Sequence, residues 1–406
     1  MASGGTDQDT LWLKSKTKEL HSKSAKKKFT TVEFFGGGGG LAEGISEACR
    51  RNGISHMTLF ANEFDEDLLE IYKANHNPAR FSDSDIYTYL DPVVPINFDK
   101  ERMKREPNKY PKIRTGKLTS KERKFKEEFK ELMKVDLLVG GPPCQGNSDL
   151  NNKSRRVDEK NLLYFTMYRF SKIFNPKMVI IENVRQVVHS SQEVVQRSEK
   201  QFKKLGYDVK MITVKASDFG VPQKRERHFF FASRIGEIDL SPLEKGIPEF
   251  VDKPRTVRWA FEGIDENLLD TDLFNKTADS NEENQSRMNW LIENDKFELP
   301  NHLRPKCHQD GHTYPAVYGR IYPDEPADTI STGFASNGQG RFTHPWARPG
   351  RTITAHEASS IQTFPENYKF PAKKLKTLRT AIGNAVPPLL AMHVAFVCIR
   401  LLFGIV

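Results

Sequence analysis

The sequence predicts an α/β protein built on a doubly wound parallel sheet and completed by a second, smaller domain. Strand-like runs rich in Val, Ile, Leu, Met and Phe alternate with helical patterns over residues 29–234, as in repeated βαβ units. Residues 235–350 differ, because they carry many Pro, Gly, Asn and Asp and few long apolar runs. The length agrees with two domains, since 406 residues exceed the roughly 100–200 of a common single domain.

The first 28 residues are Lys-rich and aperiodic and carry a net charge of +4. We expect residues 1–28 to form a disordered basic tail. Residues 97–134 are also basic, with a net charge of +7, whereas the rest of the chain sums to −2. Both segments could attract a polyanion such as nucleic acid, but a solvated tail and a charged surface helix explain them equally well.

Six apolar runs predict the strands, and two segments between them have helical periodicity. In the first helical segment, Leu41, Ile45, Ala48 and Cys49 recur at the spacing of one helix face. The predicted strands are 30–35, 57–62, 135–139, 178–182, 209–214 and 228–232, and the helical segments are 41–49 and 162–174. A further short extended stretch precedes Asp85. We therefore place a first domain at 29–234 and a second at 235–375.

The C-terminal apolar run, 389–406, only just reaches the roughly 18 residues that a membrane span needs. His393 and Arg400 interrupt it, so we predict a buried core helix that returns to complete the first domain with residues 376–406. The N-terminus lacks the apolar core of a signal peptide. The four cysteines lie far apart, which favours neither disulfides nor a zinc site. We expect a cytoplasmic protein without a metal.

Five glycines, Gly36 to Gly40, separate the first predicted strand from the first helix, where a backbone can approach a ligand closely. No Gly-Lys-Ser/Thr follows, which argues against a phosphate loop. Glu63 ends the second strand 23 residues later, where an acid can accept from ribose hydroxyls. Phe64 could stack on a base and Asp85 could accept from an exocyclic amine. An adenosyl ligand fits this pattern, and a plain flexible turn is the alternative.

Cys144 lies in a Pro-Pro loop directly after a predicted strand, at the sheet edge where open α/β proteins bind ligands. It is a candidate nucleophile, although a lone cysteine can also be a small buried apolar residue. Glu182 ends the next strand and is either an acid/base group or a helix cap. Arg225 and Arg227 alternate before the last strand, so both point to one face. Such a pair suits a phosphate or a carbonyl oxygen, or forms surface ion pairs.

In this order, the motifs resemble those of the DNA (cytosine-5) methyltransferases, most closely the prokaryotic modification enzymes. The series extends from about residue 30 to the C-terminus, and six or more ordered blocks are highly specific. Glu33 stands where the family usually has Asp. The matching blocks are 33–40, 60–63, 142–146, 182–184, 223–227, 351–354 with Glu357, 362–365 and 383–388.

The resemblance implies a Rossmann-like, S-adenosylmethionine-dependent methyltransferase sheet with a target-recognition domain at 235–375. It implies methylation of carbon 5 of a cytosine in a specific double-stranded DNA sequence, with the base flipped out of the duplex. Cys144 would add to carbon 6 of the ring. Glu182 would hold ring nitrogen 3 and the exocyclic amine, Arg227 the ring carbonyl oxygen, and Arg225 would support the site.

The remaining site residues also follow from the resemblance. The implied S-adenosylmethionine contacts are Phe35, Gly36, Gly37, Gly38, Gly40, Glu63, Phe64, Asp85, Ile86, Pro143, Leu163, Asn384 and Val386. The DNA contacts that we expect are Gln223, Arg304, His308, Arg320 and Arg341. We expect a monomer that binds double-stranded DNA and no membrane, with a cognate restriction endonuclease acting separately. Two alternatives stay open: a tRNA cytosine-5 methyltransferase, and a catalytically silent DNA-binding regulator of the same fold.

Overall fold

Within the part of the chain that the structure describes, seven strands form one central sheet in the order β3-β2-β1-β4-β5-β7-β6. The computed structural model describes residues 7–17, 27–94, 105–109, 111–143, 159–309 and 316–405. The strands are β1 (Lys27–Phe34), β2 (Ile54–Asn62), β3 (Arg80–Ser82), β4 (Leu137–Gly140), β5 (Met178–Val184), β6 (Asp208–Lys215) and β7 (Glu226–Ser233). Each predicted strand is confirmed, as is the short extended stretch before Asp85.

The sheet is mixed rather than fully parallel, which corrects the predicted strand direction. Strands β1 to β5 are parallel neighbours, but β7 lies antiparallel to both β5 and β6. The reason is the short link between β6 and β7, because a parallel crossover needs a dozen or more residues. Sequence periodicity identifies a strand but is blind to its direction.

Helices cover both faces of the sheet, which confirms the doubly wound class. The helices are α1 (Gln8–Leu13), α2 (Gly40–Arg51), α3 (Glu66–His76), α4 (Ser120–Glu128), α5 (Tyr164–Phe174), α6 (Val194–Lys204), α7 (Ser241–Lys245), α8 (Pro248–Asp252), α9 (Val257–Phe261), α10 (Glu282–Glu293), α11 (Ala355–Ile361), α12 (Leu375–Asn384) and α13 (Pro388–Phe403). One apolar core lies between the sheet and the pair α2 and α13, and a second between the sheet and α5 with α6.

The C-terminal run forms α13, which packs on α2 and is largely buried, as predicted. Within the described part of the chain, no single helix is both long and apolar enough to cross a membrane. Helices α12 and α13 pass that test only as a pair, bent by 41° at the break between them.

The prediction of a disordered tail over 1–28 is wrong for residues 7–17 and for Lys27 and Lys28, which begin β1, whereas 1–6 and 18–26 lie outside the described residues. Asp7 caps α1 by accepting the Thr10 N–H at 2.8 Å, and Leu13 is buried in the core beside α2 and α13. Asp9 forms an ion pair with Arg51 at 2.7 Å. The sparse apolar residues of this segment gave no helical periodicity, because a helix of six residues is too short to show it.

Short helices and turns follow β7 and surround a third apolar core. This core includes Val257 and Phe261 of α9, Phe334 and Phe342 of the loops, and Ile361 of α11. It is separate from the two cores that flank the sheet. The limits of the predicted second domain, 235–375, stay a prediction.

Candidate active site

The ends of the parallel strands align in one row, and the candidate residues come directly after it. Across the sheet, Asn62 pairs with Phe34, Phe34 with Gly140, and Gly140 with Ile181. The next residues in the four strands are Glu63, Phe35, Gly141 and Glu182. The register therefore brings the acid of the second strand, the glycine turn, the Pro-Pro loop and the acid of the fifth strand to one edge.

The glycine turn is shaped by left-handed backbone and by close packing against the end of the chain. Gly39, which precedes α2, has φ of +81°, a conformation that glycine adopts without strain. A Cβ on Gly40 would lie 2.3 Å from the carbonyl oxygen of Val386, so a side chain cannot fit there. Tyr368 donates its hydroxyl to the Gly38 carbonyl at 2.6 Å. Tyr368 and Val386, which lie 330 positions or more further along the chain, thus complete the glycine turn.

Glu63 holds the other side of this turn. Its carboxylate accepts the Gly37 N–H at 2.8 Å and the Asp65 N–H at 3.0 Å. Burial raises the pKa of Glu63, while these N–H groups act in the opposite direction. Each carboxylate oxygen has a second lone pair, so Glu63 can still accept from ligand hydroxyls.

The other predicted cofactor contacts divide into exposed and buried groups. The Phe64 ring is 70% exposed beside Glu63, and Asp85 and Asn384 are also exposed. Ile86 and Val386 are buried. Leu163 and Pro143 are half-buried, at the ends of the segments that flank residues 144–158.

Glu182 and Arg227 form a buried ion pair at the same edge. Arg227 Nε lies 2.8 Å from Glu182 Oε1, and both side chains are almost fully covered. Burial raises the pKa of Glu182, and the positive charges of Arg227 and Arg225 only partly offset this. A Cβ on Gly141 would lie 2.9 Å from Glu182 Oε2, so the glycine leaves space for this carboxyl.

Cys144 lies outside the described residues, as do Gln145 and Gly146. The chain leading to it is fixed, because the Asn183 side-chain amide donates to the Pro142 carbonyl at 3.1 Å. The residue after Glu182 therefore anchors the Pro-Pro loop beside the Glu182–Arg227 pair.

Arg225 and Gln223 are buried and contact protein groups. Arg225 donates to the carbonyl oxygens of Ile330 at 2.8 Å and Gly383 at 3.1 Å. Gln223 has no exposed surface and accepts the Ile330 N–H at 2.8 Å. This placement agrees with a supporting role for Arg225, but it removes Gln223 from the residues that could face DNA.

The same correction applies to two arginines of the second domain. Arg320 is buried, donates to the Pro345 carbonyl and forms an ion pair with Asp295 at 2.9 Å. Arg341 is buried against Glu298 and donates to the Phe297 carbonyl. Both hold loops together instead of presenting charge to solvent.

Arg304 and His308 lie nearer the surface. Arg304 is half-buried and donates to the Leu299 carbonyl at 3.1 Å, and His308 meets the Tyr318 ring edge-on. Their assignment to DNA stays a prediction. Within the described ranges, no group of three or more His, Cys, Asp or Glu side chains is arranged to hold a metal ion.

A pair of interacting side chains beneath the glycine turn was not predicted from the sequence. Glu33, at the end of β1, accepts the Tyr72 hydroxyl at 2.8 Å, and both side chains are fully buried. Glu33 lies between the apolar residues Val32 and Phe34, and this position in a predicted strand could have indicated a buried carboxyl. The Tyr368 contact with Gly38 had no such signal, because the two residues lie 330 positions apart in sequence.

Comparison with known proteins agrees with this geometry. Residues 87–400 match a family model described as C-5 cytosine-specific DNA methylase. Type II methyltransferase M1.BsuMI of Bacillus subtilis is 35% identical over 390 residues, which cover 95% of this chain and 84% of that protein. Type II methyltransferase M.NgoPII of Neisseria gonorrhoeae is 28% identical, covering 90% of this chain and 93% of its own length.

Solved structures show the same fold at low sequence identity. A DNA modification methyltransferase encoded within an E. coli prophage superposes with a TM-score of 0.60 at 21% identity, covering 92% of this chain and 99% of its own. The Dnmt2 methyltransferase of S. pombe superposes with a TM-score of 0.57 at 16% identity, covering 93% and 100%.

Proposed function

Because the chain belongs to the C-5 cytosine-specific DNA methylases, we propose that it methylates carbon 5 of one cytosine within a specific double-stranded DNA sequence. The observation that carries the proposal is the buried Glu182–Arg227 pair, fixed beside the loop that leads to Cys144. Because the matched relatives are named Type II methyltransferases, we propose a cellular role beside a separate restriction endonuclease. We also propose that the enzyme acts as a monomer.

S-adenosylmethionine is the cofactor that we propose, and the described residues fit it. When bound, it supplies the methyl group as an electrophilic sulfonium. Glu63 keeps lone pairs free for two ribose hydroxyls, and the exposed Phe64 ring offers a face for the adenine. Asp85 can accept from the adenine amine, while Gly37 leaves open space that a side chain would fill.

The catalytic groups have complementary tasks in this proposal. The Cys144 thiolate adds to carbon 6, forming a carbon–sulfur bond and moving the ring electrons toward nitrogen 3 and carbon 5. Glu182, which burial and the neighbouring arginines hold at this edge, binds ring nitrogen 3 and the exocyclic amine and stabilises the charge that develops as the thiolate adds. Arg227 binds the ring carbonyl oxygen. Once carbon 5 carries the transferred methyl group, loss of the carbon 5 proton breaks the carbon–sulfur bond, releases the Cys144 thiolate and restores the aromatic ring.

DNA has to present the cytosine outside the helix, since these groups cannot reach carbon 6 within a stacked duplex. We propose that residues 235–375 read the surrounding sequence, with Arg304 and His308 as the remaining candidate contacts. Working on DNA, the enzyme would act in the cytoplasm, where a bacterium keeps its chromosome.

The test is bisulfite sequencing of plasmid DNA methylated by the purified enzyme. Wild type should protect one cytosine in a defined sequence, and Cys144→Ser should lower the rate by orders of magnitude because a hydroxyl ionises far less readily than a thiol. Cys307→Ser, which replaces an exposed thiol, is the matched control and should keep full activity.

A fluorine at carbon 5 of the target cytosine should trap the enzyme on DNA through Cys144, because the final elimination has no proton to remove. Peptide mass mapping identifies the attached residue. Full activity in Cys144→Ser, attachment through another cysteine, or methylation of tRNA with none of DNA would overturn the proposal.

A further inference from the structure

Two buried side chains before β7 bind both backbone polar groups of a single residue of the second domain, Ile330. Gln223 Oε1 accepts the Ile330 N–H at 2.8 Å, and Arg225 Nη1 donates to the Ile330 carbonyl at 2.8 Å. Both side chains have at most 1% of their surface exposed. Buried backbone groups need partners, but a β-strand or helix usually supplies them. Here two side chains of the first domain do so.

The segment that follows Ile330 is also held by residues of the first domain. Arg379 of α12 donates to the Thr332 carbonyl at 2.7 Å. A Cβ on Gly383 would lie 2.4 Å from the Thr332 nitrogen, so the backbones of α12 and this segment touch directly. Gln223 also donates to Gln362 at 2.8 Å, and Gln362 donates to the Ile382 carbonyl at 2.5 Å. The position of 330–332 is thus fixed by several independent bonds.

The clamp formed by Gln223 and Arg225 directly precedes β7, the strand that carries Arg227 of the proposed catalytic pair. Arg225 and Arg227 are two positions apart in extended backbone, so their side chains leave the same face. Arg227 contacts Glu182, and the charge of Arg225 lowers the pKa of the same carboxyl. A displacement of residues 223–227 would therefore move both the backbone of Ile330 and the Glu182–Arg227 pair.

Polar side chains flank Ile330 where its segment is open to solvent. Thr329 is exposed, and Ser331 and Thr332 are half-buried. Hydroxyls of this kind can bond to phosphate oxygens or base edges. Lys224, between the two clamp residues, is also near solvent, and its backbone N–H bonds to Ala327 at 2.7 Å. The clamp thus places a polar strip of the second domain beside the catalytic edge.

We infer that Gln223 and Arg225 are positioning residues that set the second domain's segment 329–332 relative to the Glu182–Arg227 pair, and thereby couple recognition of the DNA sequence to placement of the cytosine. The inference rests on the proposed function. It assigns neither residue a contact with DNA. Gln223 and Arg225 act on DNA recognition only through the position of the Ile330 backbone.

Gln223→Ala tests the inference, because it removes the acceptor for Ile330 and the donor to Gln362 without touching Glu182 or Arg227. We expect the ratio of kcat/KM between the wild-type target and targets with one base changed to fall about tenfold, as for the loss of one or two hydrogen bonds. Binding of S-adenosylhomocysteine, measured by calorimetry, should stay within about twofold, since the glycine turn is intact.

Asn275→Ala is the matched control, a buried amide of the second domain that contacts His356 at 2.9 Å and not Ile330. It should lower thermal stability while keeping the specificity ratio. Gln223→Glu is the rescue variant: its protonated carboxyl can both accept and donate as the amide does, so the ratio should recover as the pH is lowered. This variant also serves if Gln223→Ala does not fold.

The outcomes separate the two levels of the argument. If wild-type enzyme methylates no DNA, the proposed function is overturned, and this inference with it. If wild type methylates a defined sequence but Gln223→Ala keeps its ratio, or Asn275→Ala loses as much, the inference alone is overturned, because the residues then serve stability only.

Discussion

Glu33 is a buried carboxyl whose two oxygens have different surroundings. One of its oxygens accepts the Tyr72 hydroxyl, and the other, Oε1, has no hydrogen-bond partner among the described residues. Burial raises the pKa of Glu33 to about 8, so the group is mostly protonated near neutral pH. The protonated form needs less solvation, which makes an otherwise costly position acceptable beneath the glycine turn.

A pH-dependent stability follows from this raised pKa. In the unfolded chain the carboxyl ionises above roughly pH 4.3, whereas the folded protein keeps the proton until about pH 8. The free energy of unfolding should therefore fall between these limits by at most about 1.4 kcal/mol per pH unit, since the folded state binds more protons. Urea unfolding of Glu33→Gln should lack this component. Glu70→Gln, which alters an exposed carboxyl, should keep it, and identical pH profiles for wild type and Glu33→Gln would contradict the assignment.

Glu63 can be tested separately through the cofactor. Replacing it by Gln keeps the size of the side chain but removes the charge and one acceptor oxygen facing Gly37 or the ribose. We expect S-adenosylhomocysteine to bind about 1.5–3 kcal/mol more weakly, the contribution of hydrogen bonds to a charged group. Calorimetry measures this directly, and Glu66→Gln on the neighbouring helix α3 is the control. Unchanged affinity in the folded Glu63→Gln protein would remove Glu63 from the site.

Single residues could be predicted where the local chain fixes their position. Glu63 and Glu182 each follow a strand directly, so the sheet alone brings them to one edge. Arg320 and Arg341 could not be distinguished from DNA-facing arginines. Their acidic partners lie 25 and 43 positions away in sequence, and only the folded loops bring them together.

At the scale of elements, the basic stretch before β4 is built around one ion pair with no solvent exposure. Arg169 of α5 contacts Glu122 of α4, and both side chains are 0% exposed. Arg169 also donates to the carbonyl oxygens of Arg114, Gly116 and Lys117, while Glu122 accepts the Asp91 N–H at 3.0 Å. The segment that reads as a charged surface in the sequence therefore has a fixed internal anchor.

Removing one partner of this pair should be far more harmful than removing both. Arg169→Met or Glu122→Leu should each lower the free energy of unfolding by about 3–5 kcal/mol, because an uncompensated charge stays buried. The double variant Arg169→Met/Glu122→Leu should cost less than the sum. Glu199→Gln, which breaks the exposed pair with Lys203, should cost about 1 kcal/mol or less. Additive effects in a double-mutant cycle would contradict this.

Element prediction succeeded for the strands and failed for direction and for α1, for different reasons. A buried strand is recognisable from its own apolar residues, such as those of β5. The reversed direction of β7 depends on the shortness of its link to β6. Helix α1 is stabilised by distant groups, since Arg51 and Arg255 contact its Asp9 and the preceding Asp7.

For the molecule as a whole, residues 7–17 act as a strap between the sheet's first helix and the second domain. Asp9 contacts Arg51 of α2, and Asp7 contacts Arg255, whose guanidinium lies over the Trp259 ring. The Lys14 ammonium donates to the carbonyl oxygens of Ala260 and Glu262. The Glu366 N–H bonds to the Leu13 carbonyl at 2.9 Å, which extends the strap toward α11.

Deleting residues 1–17 should therefore destabilise the enzyme, whereas deleting a disordered tail would not. Arg255 would stay buried without its carboxylates, at a cost of about 3 kcal/mol or more. We expect a lower midpoint of thermal unfolding and a higher KM for DNA, with cofactor affinity preserved. Deletion of residues 1–6 is the control and should leave all three unchanged. A fully stable enzyme lacking 1–17 would refute the strap.

The contact between Gly40 and Val386 has a consequence for how the enzyme is made. The ribosome synthesises α2 long before α13, the helix that covers it. At about 5–20 residues per second, synthesis of the intervening chain takes roughly 20 to 70 seconds. Throughout that time the nascent protein exposes the apolar side of α2 and has an unfinished glycine turn. Each nascent chain therefore has to wait for α13 before its glycine turn, and with it the proposed cofactor site, can be completed.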